Sequence, residues 1–271
     1  MTNVVGFSGG KDSTALLLWM RDHQPIFRAV FNDTGWEHPL TYAYIEEINQ
    51  TLLHGQLITL RPAEWVPAGT KERYEDMREL VAVKGRVPSV RARFCTEYLK
   101  TNPLRAYLAT VEEPVLYQGI RAEESPARAQ MPHSEWSDYY DCRVERPLFT
   151  WTAQEVFALL DRCGIPANPL YRLGSKRVGC FPCVLTRHAE LKRLTRTLPE
   201  VWDRIEELEQ LAGQSYFPPG YIPDRFCSLE SGGVRLPSIA DVRKYIIEQD
   251  EVQLQMFGPT PACTSVYNLC E

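Results

Sequence analysis

Six consecutive residues carry the densest chemistry in this chain: Ser8-Gly9-Gly10-Lys11-Asp12-Ser13. They follow a short apolar run, VVGF, that reads as a buried strand. They precede STALLLWMRDH, which reads as a helix. Two glycines allow a tight turn and a close approach of backbone to an anion. The helix that follows offers free N–H groups and the positive end of its dipole. Ser8 and Ser13 add hydroxyl donors and Lys11 a fixed charge. The residues therefore predict a phosphate-binding loop. The spacing between glycine and lysine differs from the Walker pattern. A plain glycine-rich strand–helix turn is the alternative reading of the same string.

A second group of reactive residues is the cysteines, eight in all: Cys95, Cys142, Cys163, Cys180, Cys183, Cys227, Cys263 and Cys270. In a reducing compartment such a set is not a disulfide framework. Cys180 and Cys183 form a CxxC pair, whose spacing fits zinc, an iron–sulfur cluster or a redox dithiol. Cys142 and Cys163 read as small buried side chains.

Charged residues near predicted strand ends complete the candidate set. Asp33 ends the strand FRAVFND, where an acid can hold Mg²⁺ or a ribose hydroxyl. An Asp before Thr-Gly is equally a turn former. Arg91, Arg93, Lys100, Arg121 and Arg128 supply cations for a polyanionic ligand, and Arg grips phosphate with two parallel donors. Arg86, Arg91, Arg93, Arg121 and Arg128 together are expected to form a basic face for a nucleic acid or another polyanion. A single-sign cleft can work against an opposite net charge, here −5 over 271 residues. His38 and His188 stand alone, and His188 is expected to be a partly exposed residue at a helix start.

The elements that must position these groups alternate strand with helix. VVGF, FRAVFND, GQLITLR and PVLYQGI read as strands. STALLLWMRDH and TYAYIEEINQTLL read as helices. This order predicts an α/β fold, a parallel twisted sheet with helices on both faces. Trp151 onward reads as a helix with Thr152 as cap. Residues 166–183 read as loop, 187–211 as helical, and 216–225 as a Pro-rich connector. A short helix, SIADVRKYIIEQD, leads to an irregular tail. The expected division is a nucleotide-binding domain with the CxxC over 1–186 and a helical, irregular extension over 187–271. Apolar residues make up 44% and charged residues 24%, as in ordinary globular enzymes. No run approaches the ~18 apolar residues of a membrane helix, and MTNVVGFSGG lacks a signal-peptide layout. The expected location is cytoplasmic, with no membrane partner.

Several segments resemble one known family. SGGKDS is similar to the PP-loop signature of enzymes that cut ATP between its α and β phosphates. Asn32-Asp33-Thr34-Gly35 with Glu37, Pro39 and Thr41, Arg93-Phe94-Cys95-Thr96 with Leu99-Lys100 and Pro103-Leu104, and Gly119-Ile120-Arg121 with Glu124-Ser125 and Arg128 resemble the phosphoadenosine phosphosulfate reductase-like branch of that superfamily. So do Arg146-Pro147-Leu148, Trp151, Asn168-Pro169-Leu170-Tyr171 and Gly179-Cys180. The match runs from about residue 3 to about residue 190.

The resemblance implies an adenine nucleotide alpha hydrolase-like fold and an enzyme. It implies nucleotide contacts from Ser8 to Ser13, Asp33, Thr34, Gly119 and Arg121. Substrate contacts would come from Arg91, Arg93, Lys100, Glu124 and Arg128, and catalytic roles would fall to Lys11, Asp12 and Cys270. It also implies a 4Fe-4S cluster on Cys95, Cys180 and Cys183. Cys263 or Cys270 would be the fourth thiolate, and zinc is the alternative metal. In cluster-bearing reductases the central motif has two adjacent cysteines; here Phe94-Cys95 supplies one. True sulfonucleotide reductases often have an altered phosphate loop and end in a Glu-Cys-Gly-x-His motif. This chain keeps SGGKDS and ends in Cys270-Glu271. The expectation is therefore adenylation with ATP and Mg²⁺. A sulfur donor such as a cysteine desulfurase, or a thioredoxin-like reductant, would then act with a nucleic-acid acceptor. The rivals are reduction of phosphoadenosine phosphosulfate or adenosine phosphosulfate, with Cys270 as attacking thiolate, and a regulatory nucleotide-binding subunit.

Overall fold

In the computed structural model, residues 1–65 and 73–257 are described, with 250–257 as helical backbone only. The chain divides into two compact units. The first contains residues 1–76, 96–169 and 177–180, and the second 77–95, 170–176 and 181–271.

The first unit is built on six strands in the order β3-β2-β1-β4-β6-β5. These are β1 (Thr2–Phe7), β2 (Arg28–Asn32), β3 (Ile58–Leu60), β4 (Pro114–Tyr117), β5 (Ser134–Ser137) and β6 (Cys142–Glu145). β1 lies at the centre, parallel to β2 on one side and to β4 on the other. β3 and β6 extend the parallel set outward. β5 pairs antiparallel with β6 at the edge. The expected α/β sheet is thus present, with two further strands absent from the sequence expectation, the parallel β6 and the antiparallel edge strand β5.

Val4, Val30, Leu60, Leu116 and Val144 come from the five parallel strands. They pack with Leu104, Tyr107 and Leu108 in one buried cluster. Those last three residues belong to α5 (Asn102–Leu108), so this helix covers that face. The alternation of side chains sends Val5 and Phe31 to the opposite face, also buried. There α1 (Lys11–His23) packs against α7 (Ala153–Arg162).

Local rules explain the helix ends. Thr152 and Glu155 form a reciprocal capping box at α7, as the sequence indicated. The start of α2 (Pro39–Thr51) is capped by His38, whose Nδ1 accepts from Leu40 N at 3.0 Å. This gives that lone histidine a structural task. Between α4 (Phe94–Thr96) and α5 lies a π-helical segment, Glu97–Thr101. Pro103 has no N–H to continue the ladder, and the register widens so that Asn102 N bonds to Glu97 O. Lys100 sits in this segment. A short α6 (Pro126–Ala129) follows β4.

The second unit contains α3 (Met77–Lys84), α8 (His188–Thr197), α9 (Val201–Ala212) and α10 (Ile239–Phe257), with a hairpin of β7 (Leu229–Ser231) and β8 (Val234–Leu236). α9 packs against α3, α8 and α10. Its buried stripe is Val201, Trp202, Ile205 and Leu208. α9 stops at Gly213, whose φ of +64° is a left-handed conformation that favours glycine. α10 is longer than the short helix expected from SIADVRKYIIEQD. It opens on a reciprocal pair: Ser238 N donates to Asp241 at 2.8 Å, and Asp241 N donates to Ser238 Oγ at 3.2 Å. No helix among the described residues is long and apolar enough to cross a membrane.

Candidate functional site

β2 and β3 lie to one side of β1, whereas β4 and β6 lie to the other. The chain therefore reverses its direction of growth between β1 and β4. In open parallel sheets the crevice at such a point, beyond the carboxyl ends of the strands, takes ligands. Two loops leave the sheet there: residues 8–10 after β1, and residues 118–121 after β4.

The first loop is held from inside. Ser8 N donates to Ser13 Oγ at 3.1 Å, and Ser13 Oγ donates to Gly10 O at 3.0 Å. Gly9 has φ +70°, and a Cβ there would stand 2.9 Å from Ile45 Cγ1. Both the conformation and the space demand glycine. Asn168, 1% exposed, donates from Nδ2 to Gly9 O at 3.1 Å. Across a trans peptide the C=O and the next N–H point opposite ways. Asn168 therefore turns the Gly10 N–H away from itself. Gly10 caps α1 without a side-chain hydrogen bond. A thirteen-residue helix thus begins with an end suited to an anion.

Lys11, Asp12 and Arg121 form a partly buried charge series. Lys11 Nζ meets Asp12 Oδ2 at 2.8 Å, and Arg121 Nε meets Asp12 Oδ1 at 2.5 Å. Arg121 is 3% exposed and also binds Glu123 at 3.0 Å and Trp151 O at 3.2 Å. Burial pulls the guanidinium pKa down, but Asp12 and Glu123 more than offset this and leave it raised. In this arrangement Arg121 braces Asp12 instead of presenting a free cation to a phosphate. Gly119 has a similar supporting role. A Cβ there would lie 2.9 Å from Asp12 O and 3.2 Å from Ser13 Cα, so the exit of β4 can press against the first turn of α1.

The loop after β2 holds a buried carboxylate that the sequence reading left outside the site. Glu37, 3% exposed, accepts from Thr34 N at 3.2 Å, Thr34 Oγ1 at 2.7 Å and Tyr42 OH at 3.1 Å. Cys180 Sγ also approaches it, at 3.8 Å. Thr34 is fully buried, and its hydroxyl serves Glu37. Asp33 accepts from Gly35 N at 3.0 Å and from Tyr42 OH at 2.7 Å, the bonding of a turn-forming aspartate. Burial, then the charges of Glu37 and Asp33, raise the Tyr42 pKa, so its hydroxyl stays protonated as a donor. Glu37 was visible in the sequence as an acid five residues before Tyr42, but nothing local revealed its burial.

Of the expected substrate contacts, Glu124 and Arg128 pair with each other, and Glu124 also accepts from Arg121 N at 2.9 Å. Arg128 is half-buried. Arg91 and Arg93 are exposed in the second unit, where Arg86 lies over the Phe94 ring at 5.2 Å. Lys100 Nζ lies 3.9 Å from where a Cβ on Gly179 would be.

Among the cysteines, Cys142 lies in the sheet core, and burial raises its pKa. Cys163 ends α7 and receives Arg21 Nη2 at 3.9 Å. Cys180 belongs to the first unit, and Cys95 and Cys183 to the second. Cys263 and Cys270 lie outside the described residues. Among the described residues, no three His, Cys, Asp or Glu side chains are grouped to hold a metal ion.

This geometry has relatives. The chain is 34% identical to an uncharacterized 37.8 kDa protein of Escherichia phage 186, over 94% of this chain and 85% of that one. It is 30% identical to the adenosine 5'-phosphosulfate reductase of Neisseria meningitidis serogroup A, over 56% of this chain and 59% of that enzyme. It thus spans less than two thirds of that reductase. The crystal structure of phosphoadenylyl-sulfate reductase from Candida auris, a phosphate complex, is similar in fold, with a TM-score of 0.52 at 19% identity, covering 68% of this chain and 83% of that one. A model of the phosphoadenosine phosphosulfate reductase domain matches residues 2–186, and the chain belongs to that family.

Proposed function

We propose that the chain binds an adenine nucleotide, with its phosphates on Ser8–Ser13, and reduces a sulfonucleotide to release sulfite. The observation that carries the first part is the α1 start, free of a side-chain cap, at the point where the sheet reverses, with Lys11 beside it. The relatives named above as reductases favour the second part. Residues 1–186 would hold this chemistry, and 187–271 would form the extension. Arg121 holds Asp12, and Asp12 in turn orients Lys11. Arg91, Arg93, Lys100 and Arg128 would meet the rest of the substrate. The Cys270 thiolate would attack the sulfate sulfur. The bond from sulfur to the bridging phosphate oxygen breaks, and the nucleotide leaves with that oxygen. A thioredoxin-like dithiol would then attack the sulfur of Cys270. Sulfite would leave as a mixed disulfide forms, and the second thiol of the dithiol would then displace the Cys270 thiolate and close the dithiol's own disulfide.

A second reading rests on the intact SGGKDS loop. Here ATP, accompanied by Mg²⁺, loses pyrophosphate when an acceptor oxygen attacks its α-phosphate, and sulfur from a donor such as a cysteine desulfurase displaces AMP. One experiment separates the two. The protein is given adenosine phosphosulfate or phosphoadenosine phosphosulfate with reduced thioredoxin, and separately ATP with tRNA or DNA as acceptor. We expect sulfite from a sulfonucleotide. Pyrophosphate without sulfite moves the assignment to the second reading, and neither product removes both.

No step in either reading passes through an iron–sulfur cluster or zinc. A 4Fe-4S cluster on Cys95, Cys180, Cys183 and Cys263, or zinc in its place, is a separate proposal that rests on thiolate chemistry. Elemental analysis after anaerobic purification is expected to show iron with sulfide. Stoichiometric zinc would replace the cluster, and the absence of all three would end the proposal.

A further inference from the structure

The second unit carries a segregated positive surface that the nucleotide chemistry does not use. Residues 170–176 and 181–200 contain six Lys or Arg residues against two Glu, in a chain whose net charge is −5. The cations are Arg172, Lys176, Arg187, Lys192, Arg193 and Arg196. The loop over residues 170–176 lies along α8. Thr197 Oγ1 donates to Leu173 O at 2.5 Å, Lys176 N donates to Glu190 Oε1 at 2.8 Å, and Gly174 packs against Arg193. These contacts bring the loop cations and the helix cations onto one surface.

Helical spacing sorts the rest. Leu191 and Leu194 are buried, whereas helical spacing puts Lys192 and Arg196 on the other side of α8. Arg172, Lys176, Arg187 and Arg196 are exposed. Lys192 and Arg196 stand at i and i+4, a like-charge arrangement that costs helix stability. Burial, and then Arg196, push the Lys192 pKa down, consistent with cations held side by side. Arg193 Nε and Nη2 are buried without a hydrogen-bond acceptor.

We propose that this face binds the phosphodiester backbone of a nucleic acid. Three of its four exposed cations, Arg172, Arg187 and Arg196, are Arg, the side chain that matches phosphate with two donors. None of the exposed large apolar side chains falls between residues 170 and 200. A membrane surface would call for apolar residues to enter the lipid boundary. A protein partner would call for an apolar or aromatic centre to the interface. A phosphate backbone needs neither. This face acts independently of the reaction performed at the loop.

The test uses the full chain and two labelled probes, a 20-base-pair DNA duplex and tRNA, at 50 and 200 mM salt. We expect binding of at least one probe at 50 mM that weakens steeply at 200 mM. The variants Arg172→Gln/Lys176→Gln and Lys192→Gln/Arg196→Gln should each weaken binding about tenfold and lower the salt slope by about two. Both should bind ATP as the parent does, which keeps this result distinct from a failure of the nucleotide loop. The DNA and tRNA arms identify the preferred backbone. Failure to bind either probe at 50 mM overturns the proposal. So does unchanged binding by both variants, or binding to phosphatidylserine vesicles in place of nucleic acid.

Discussion

Arg121→Met is expected to unfold more easily than the parent chain, by about 3 kcal/mol, because the substitution removes one of the two cations that hold a largely buried carboxylate. Arg121 is 3% exposed and serves Asp12, Glu123 and the Trp151 carbonyl together. Methionine fills similar space but offers no donor. Removing one partner of a buried pair typically costs about 3–5 kcal/mol. The lower end applies here, since Asp12 keeps 15% exposure and its contact with Lys11. Urea denaturation measures the difference directly. Arg121→Lys retains charge but loses the planar fork, so it restores only part of the loss. A Met variant within about 1 kcal/mol of the parent, less than the net value of one charge-assisted bond, would show that Arg121 is not the brace for Asp12.

The second large effect is on ligand affinity. Lys11→Ala is expected to weaken binding of ATP or adenosine phosphosulfate by about tenfold to a hundredfold, the range for a charge-assisted hydrogen bond. The fold should survive, because Arg121 still holds Asp12. Isothermal titration, with a thermal melt on the same sample, checks both halves. Parent-like affinity in a folded variant would place the phosphates elsewhere.

The contrast between these two residues shows what the sequence could reveal. Lys11 lies inside a six-residue string whose strand and helix neighbours are local, so its chemistry was legible without a structure. Arg121 also sits at a strand end, and from sequence alone it reads as a cation for the ligand. Its main partner, Asp12, is 109 residues away. Charge and position cannot show that a guanidinium is already occupied. Asn168 has the same difficulty, since its hydrogen bond to Gly9 spans 159 residues. Glu37 falls within a motif that resembles the family, but nothing local shows that the fold encloses it with Thr34 and Tyr42.

The fold shows a similar division. β1, α1, β2, α2, β3 and β4 follow from apolar runs and helical periodicity. The β5–β6 hairpin does not, because SEWS and CRVE are short, mostly polar segments. Their burial pattern becomes visible only once β6 pairs with β4. Around Lys100 the helical stretch carries Pro103, and one turn there widens into a π-helical register.

The central claim is that the amides starting α1 receive the nucleotide's phosphates. Amide NMR of the full chain, titrated with adenosine phosphosulfate, ATP and adenosine in turn, tests it most directly. The prediction is saturable shifts largest at Gly9, Gly10, Lys11, Asp12 and Ser13 with a phosphate-bearing ligand, and much smaller shifts there with adenosine. Saturable binding that leaves those five amides unmoved, or no binding of either phosphate-bearing nucleotide, would contradict it.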